Sequence, residues 1–442
     1  MRQEDTQVII VGAGPVGMFT ALLLAREKIK VRIIDQAPEV ADQSYACGLH
    51  GRSLQLLCDA DLGNGLLKEG RRIDRVDLYE GAIRRAQIGF PEVTPSFPHL
   101  LTVSQSKLET LFEEELLQAG VQLDWNHRLA DLRFDDGAGV TATVERLCGT
   151  ATGYDVPRWE TVVGSTFQCF AQFVIGADGC HSVVRRLLNI DTEPYSKPQL
   201  FVVYEFESDA LETDSMSIVV NQADRNVFWP LPGRRCRWSF EWTDTIPDGE
   251  FPPKHRGGMW YEDQAIAERT RHHLEQLIES RAPWFSGTVG AIDWASDVQF
   301  EPYLAKQFGR GRCWLVGDAA HQTCPVGVQS MNVGFREATQ LVSALAAILR
   351  GIGSMDLLKA YQESFRQEWL RNLIADVRPM NDTTSSRLGS DSILRSCLPA
   401  SGEELESMIR AVAPQLAEPF RNRDAKPTQP GRTTKACDIN PP

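Results

Sequence analysis

Val8-Ile9-Ile10-Val11-Gly12-Ala13-Gly14-Pro15-Val16-Gly17 is a β-branched run that breaks into a glycine turn. Four consecutive apolar residues suit a strand buried on both faces, as in a parallel sheet. The segment Met18–Glu27 that follows predicts a helix, and Val31-Arg32-Ile33-Ile34-Asp35 predicts a second strand. Strand, helix and strand in so short a span make a βαβ unit. The glycines have the G-x-G-x-x-G spacing. They allow a tight turn and let backbone approach a pyrophosphate at the helix N-terminus, where free N–H groups favour an anion. Asp35 closes the second strand, where a carboxylate can accept from both hydroxyls of an adenosine ribose. Together these features predict dinucleotide binding, without choosing FAD over NAD. Val8 to Ala25 carries no charge, but the glycines and Pro15 in its first half favour strand, turn and helix over a membrane span.

The 442 residues hold 46 Lys and Arg against 59 Asp and Glu, a formal net charge of −13. That balance argues against nucleic acid and against an anionic membrane surface as partners. The length suggests two or three domains. Ten scattered cysteines show no C-x-x-C pair, so neither a zinc site nor a disulfide framework is expected. Met1 to Gln7 mixes Arg2 with Glu4 and Asp5 and does not read as a signal peptide, so a cytoplasmic protein is expected.

Further along, Leu54–Leu67 and Ser106–Ala119 predict helices, and Val140–Val174 reads as strand. Composition shifts between Asp191 and Phe300, which hold six of the ten tryptophans and alternating runs that predict a separate antiparallel sheet. Gly334–Leu349 and Leu357–Ile374 predict long helices, and a polar, Pro-rich tail follows about Arg421. The expected organisation has four parts. Residues 1–78, 98–190 and 301–350 form a discontinuous nucleotide domain, and 79–97 with 191–300 form a substrate domain. Residues 351–420 are helical, and 421–442 form a disordered tail.

Two more strand ends carry carboxylates. Val174-Ile175-Gly176-Ala177-Asp178-Gly179 runs into a helix near Ser182. Asp178 lies where α/β sheets bind ligands, though an Asp-Gly turn with a Ser helix cap accounts for it equally well. Trp314-Leu315-Val316-Gly317-Asp318-Ala319-Ala320-His321 repeats the pattern, ahead of Pro325, Gly327 and Gln329-Ser330-Met331-Asn332. Asp318 suits a polyol hydroxyl, and His321 reads as a histidine hydrogen-bonded within its turn rather than as a general base.

The three motifs together resemble the signature of class A flavoprotein monooxygenases, the para-hydroxybenzoate hydroxylase family of FAD-dependent aromatic hydroxylases. The resemblance runs from about Gln7 to Leu349. It implies an α/β fold, with a Rossmann-like FAD-binding domain, an antiparallel substrate sheet and C-terminal helices. It places Gly12, Gly14, Pro15, Val16 and Gly17 at the ADP half of FAD, Asp35 and Gln36 at the adenosine ribose, and the Leu129 backbone at adenine. Asp178 and Gly179 fall near the pyrophosphate, and Gly317 and Asp318 at the ribityl chain. Ala46, Gln105 and the loop from Pro325 through Gly327, Gln329, Ser330, Met331 and Asn332 fall at the flavin. Two departures stand out. Tyr45 replaces a common Arg, and Val328 and Ser330 replace glycines of a G-G-Q-G-M-N loop. A left-handed backbone at Val328 would strain that side chain.

The resemblance further implies that NADH or NADPH reduces FAD transiently, and that O2 then forms a C4a-hydroperoxide that oxygenates a phenol or enol. The partners expected are a small aromatic substrate and O2, with the chain a monomer or homodimer. No metal and no catalytic acid or base is assigned. Tyr204, Phe228, Trp229 and Trp238, with Pro325, are the expected substrate wall, and His50 is read as a surface histidine. A halogenase would need a W-x-W-x-I-P segment, which is absent from the sequence. A reductase, an oxidase, a Baeyer–Villiger oxygenase and a non-catalytic flavin binder remain as alternatives on the same fold.

Overall fold

The computed structural model describes residues 3–41, 48–93, 97–135, 139–152, 158–209, 214–221, 224–243, 264–374 and 387–417. Ala46, Tyr45 and the tail 421–442 lie outside them. The expected first unit forms: strand Gln3–Val11, helix Pro15–Arg26, strand Val31–Ile34. Pro15 opens the helix, where its missing N–H loses nothing. Strand Gln3–Val11 pairs in parallel with Val31–Ile34 on one side and with the long strand Arg158–Gly176 on the other. Gln122–Asp124 and Cys313–Leu315 extend this parallel sheet outward. Strand Gly139–Thr152 folds back antiparallel on Arg158–Gly176, and His127–Asp135 pairs antiparallel with Gly139–Thr152. Helices Pro15–Arg26, Gln105–Gln118 and Gln329–Leu349 cover the parallel sheet and bury its apolar core.

The predicted helix over 54–67 is two helices, Gly51–Asp59 and Gly63–Glu69, divided where Asp61 turns left-handed. The helix expected over 334–349 begins at Gln329, five residues before the predicted start. Five strands of the Trp-rich region and two from residues 75–89 form a seven-stranded sheet in the order Ile292–Phe300, Gln199–Glu207, Arg235–Trp242, Arg225–Pro230, Ser215–Val220, Arg75–Glu80, Ile83–Gly89. It is antiparallel except where Ser215–Val220 runs parallel to Arg75–Glu80. One face packs on helices Asp391–Cys397 and Gly402–Ala417, the other on helix Gln264–Arg281. No helix among the described residues is long and apolar enough to cross a membrane.

The tightest joint lies at the first glycine turn. Gly12 has φ +107°, and a Cβ there would stand 2.2 Å from the Ala177 carbonyl oxygen. The first turn and the end of the neighbouring strand therefore touch backbone to backbone. Gly12→Ala is expected to destabilise the chain by about 3 kcal/mol, from overpacking added to left-handed strain. A urea titration followed by tryptophan fluorescence measures it.

Candidate functional site

Three strands of the parallel sheet end level with one another, and a cavity of about 480 Å³ opens beyond them. Gly14, Pro15, Val16 and Asp35 line one end. Val298, Gln299 and Phe300, on the edge strand of the second sheet, line the other. Gln105, Gly179, Asp318, Pro325, Gln329, Ser330 and Met331 line the stretch between. Eleven of the residues singled out in the sequence thus share one cavity.

Two helices open onto it. Neither Pro15–Arg26 nor Gln329–Leu349 carries an acidic residue in its first turn, so the positive ends of both dipoles are available to an anion. A Cβ on Gly14 would meet nothing within 4 Å, so the missing side chain leaves open space at the helix mouth. That space, beside free helix N–H groups, fits a pyrophosphate. Asp35 anchors the glycine turn: one carboxylate oxygen accepts from the Ala13 N–H at 2.6 Å, the other from the Ala37 N–H at 2.8 Å. Each oxygen keeps a second lone pair for a hydroxyl donor.

The other expected residues lie off the cavity wall. Gln36 is exposed, and Leu129 is buried in the core of the parallel sheet. Gly17 packs on the Gly12 carbonyl. Asp178 accepts from the Ser182 hydroxyl at 2.5 Å and from the N–H groups of Val183 and Val184 at 2.6 and 3.1 Å. Its carboxylate thus caps the short helix Val183–Leu187. Asn332 works as a clamp. Its oxygen accepts from the His50 N–H, and its amide donates to the carbonyls of Gly48 and Val328. His50 is buried rather than superficial. Its Nε2 lies 3.0 Å from the Gly327 carbonyl, and burial lowers its pKa to about 4. A neutral ring donating from Nε2 holds the loop.

Tyr204, Phe228 and Trp238 do not wall the cavity. Side chains alternate along a strand, and these three point to the face packed on helix Gln264–Arg281. Trp229 points the other way, among Cys324, Val326 and Val328, without lining the cavity.

The residue least visible in the sequence is Glu337, fully buried on helix Gln329–Leu349. It accepts from the Gly317 N–H at 2.9 Å and from the Trp369 indole at 3.2 Å, and lies 2.8 Å from His321 Nε2. It fixes the left-handed Gly317 turn that presents Asp318. Burial lifts the Asp318 carboxyl to about 6, with His321 opposing and Glu337 adding to the shift. In the loop, Val328 is left-handed at φ 49°, while Ser330 sits in the helix and ties back to Thr323 through its hydroxyl. Of the two glycine replacements, only Val328 is strained.

A sequence profile for the family described as FAD binding domain matches residues 5–372. The chain is 26% identical over 368 residues to 6-methylpretetramide 4-monooxygenase of Streptomyces rimosus, covering 81% of this chain and 58% of that protein. It is 27% identical to pentachlorophenol 4-monooxygenase of Sphingobium chlorophenolicum, covering 81% and 62%. It thus spans about three fifths of the length of these relatives. The fold is that of p-nitrophenol 4-monooxygenase from Pseudomonas putida, with a TM-score of 0.72 at 19% identity, covering 94% of this chain and 99% of that one.

Asp318 yields a signed expectation. Its raised pKa means that the folded chain holds a proton the unfolded chain releases between about pH 4 and pH 6. Stability therefore falls as pH rises through that window. Asp318→Asn, measured without added FAD, is expected to be more stable than the parent at pH 8 and equal to it below about pH 4. Glu337→Gln is expected to lose about 2–4 kcal/mol, because it leaves buried donors short of acceptors. Denaturant midpoints across pH check both.

Proposed function

The chain belongs to the FAD binding domain family, and from that premise we propose that it is a monooxygenase that places one atom of O2 on a neutral aromatic ring. The observation that carries this reading is the continuity of the cavity. One space runs from Asp35, past two helix N-termini, to the apolar edge of the second sheet. One end suits a dinucleotide, and the other leaves room for a flat apolar partner against Val298 and Phe300.

In this reading Asp35 accepts the adenosine ribose hydroxyls. The amides behind Gly14 and Pro15 take the pyrophosphate, and Asp318 takes the ribityl chain. The helix N-terminus at Gln329 favours negative charge on the ring system beside it. Bound FAD supplies the two-electron chemistry, with NADH or NADPH as reductant. Overall, NAD(P)H, a proton, O2 and the arene give NAD(P)+, water and the hydroxylated arene. The protein's part is to orient the ring and keep water out.

The charge pattern supports a neutral substrate. No Lys, Arg or His is among the described residues that line the cavity, and two buried arginines lie on the face of the second sheet that packs on helices Asp391–Cys397 and Gly402–Ala417. Glu241 accepts from Arg225 at 3.0 and 3.1 Å, and Glu205 accepts from Arg237 at 2.8 Å. Both cations are thereby neutralised, which disfavours a carboxylate-bearing arene. The named relatives include a 6-methylpretetramide 4-monooxygenase and a pentachlorophenol 4-monooxygenase, and the second name is that of a phenol hydroxylated on its ring.

The test is NAD(P)H oxidation by FAD-loaded protein across a panel of phenols under 18O2. A hydroxylated product carrying 18O is expected, with phenols stimulating turnover at least about tenfold more than the matching hydroxybenzoates. Peroxide without labelled product across the panel would make the chain an oxidase or reductase. Gly14→Ala is expected to keep its denaturant midpoint within about 0.5 kcal/mol, since its Cβ enters open space. The same variant should lose FAD retention on gel filtration.

A further inference from the structure

Among the described residues, five other than glycine have a positive φ: Lys28, Asp61, Asn126, Asn189 and Val328. Four are polar residues in turns. Val328 alone is β-branched, and its φ of 49° and ψ of 39° place it in the left-handed helical region. Such a conformation persists only when its surroundings hold it. Here they do. The Val328 N–H donates to the Pro325 carbonyl, and the Val328 carbonyl accepts from the Asn332 amide at 2.7 Å.

Glycine would take this geometry without strain, so what distinguishes valine at this position is its side chain. That side chain lines the cavity and packs with the apolar cluster that holds Cys324, Val298 and Phe300. Val328 is itself the N-cap of the helix that begins at Gln329. The loop has no room to draw back. A Cβ on the preceding Gly327 would lie 2.9 Å from the Leu398 carbonyl and 3.0 Å from that of Ser396. The Gln329 amide donates to the carbonyls of Arg395 and Leu398, which pins the loop from behind.

We infer that Val328 is a specificity-determining residue, whose side chain, held in place at the expense of backbone strain, narrows the aromatic end of the cavity. The inference rests on the aromatic reading above. A buried methyl group in such a pocket changes discrimination by about 10- to 200-fold. Val328 carries two such methyls.

The experiment uses the full chain loaded with FAD and titrates phenol, 2-naphthol and 2-hydroxyanthracene, following perturbation of the flavin absorbance. Four proteins are compared: the parent, Val328→Thr, Val328→Ala and Val328→Gly. Threonine keeps the shape and the strain. Alanine keeps the left-handed Cβ but removes both methyls. Glycine removes both the side chain and the strain. The parent and Val328→Thr are expected to favour phenol. Both Val328→Ala and Val328→Gly are expected to move the naphthol-to-phenol affinity ratio at least about tenfold toward naphthol. A shift confined to Val328→Gly would assign the effect to backbone freedom and overturn the inference. An unchanged ratio in both would overturn it while leaving the aromatic reading intact. If no hydroxyarene perturbs the flavin of any of the four proteins, the aromatic reading itself fails and takes the inference with it.

Discussion

The site depends on the register of three parallel strands. Val11 lies beside Gly176, and Gly176 beside Leu315. The hydrogen bonds continue past the strand ends: Ala177 donates to the Val11 carbonyl at 2.7 Å, and Val316 donates to that of Gly176 at 3.0 Å. Three turns from distant parts of the chain are thus held level at one rim. A slip by one residue would turn each strand's side chains to the opposite face and part the turns from one another. Every residue assigned to the nucleotide end stands on this alignment.

Around that rim, carboxylates work mainly on the backbone. Asp35 holds the first turn, Asp178 the second and Glu337 the third, each by accepting N–H groups that a tight turn leaves without partners. Charge-assisted bonds of this kind are stronger than neutral ones. They make the turns rigid enough to present open space at Gly14 and a carboxylate at Asp318. The acidic residues near the cavity are therefore of two kinds, those that build its rim and those that face its contents. Asp35 belongs to both.

Much of this was legible in the sequence. Residues 8–17 could be read because β-branched runs and spaced glycines have few other uses. The Val328 strain could be read because so few conformations admit glycine and exclude valine. Other features were hidden for definite reasons. Asp178 and Asp318 look alike in sequence, each ending an apolar strand before small residues. They differ because Ser182 and a helix start lie within reach of the first. The faces of Gln199–Glu207 could not be told apart, because the strand is buried on both sides and shows no polar alternation. That is why the sequence does not fix the side to which Tyr204 points. Glu337 looked like one more polar residue on an amphipathic helix. His50 looked like a loop residue, because its partner, the Gly327 carbonyl, lies 277 residues away.

That separation bears on how the protein is made. The wall of the cavity is built from residues as early as Gly14 and as late as Met331, and the clamp that shapes its loop adds Asn332. The loop's rear support comes later still, from Arg395 and Leu398. A nascent chain emerging from the ribosome can form the first βαβ unit early, yet it carries one of the rim's three turns until about residue 179 and only two until residue 315 or so has been synthesised. The nucleotide pocket is thus a late product of translation. Until Arg158–Gly176 emerges, the chain must keep the apolar strand Val8–Val11 shielded with only one of its two neighbours in place, an interval in which the exposed strand edge is open to aggregation.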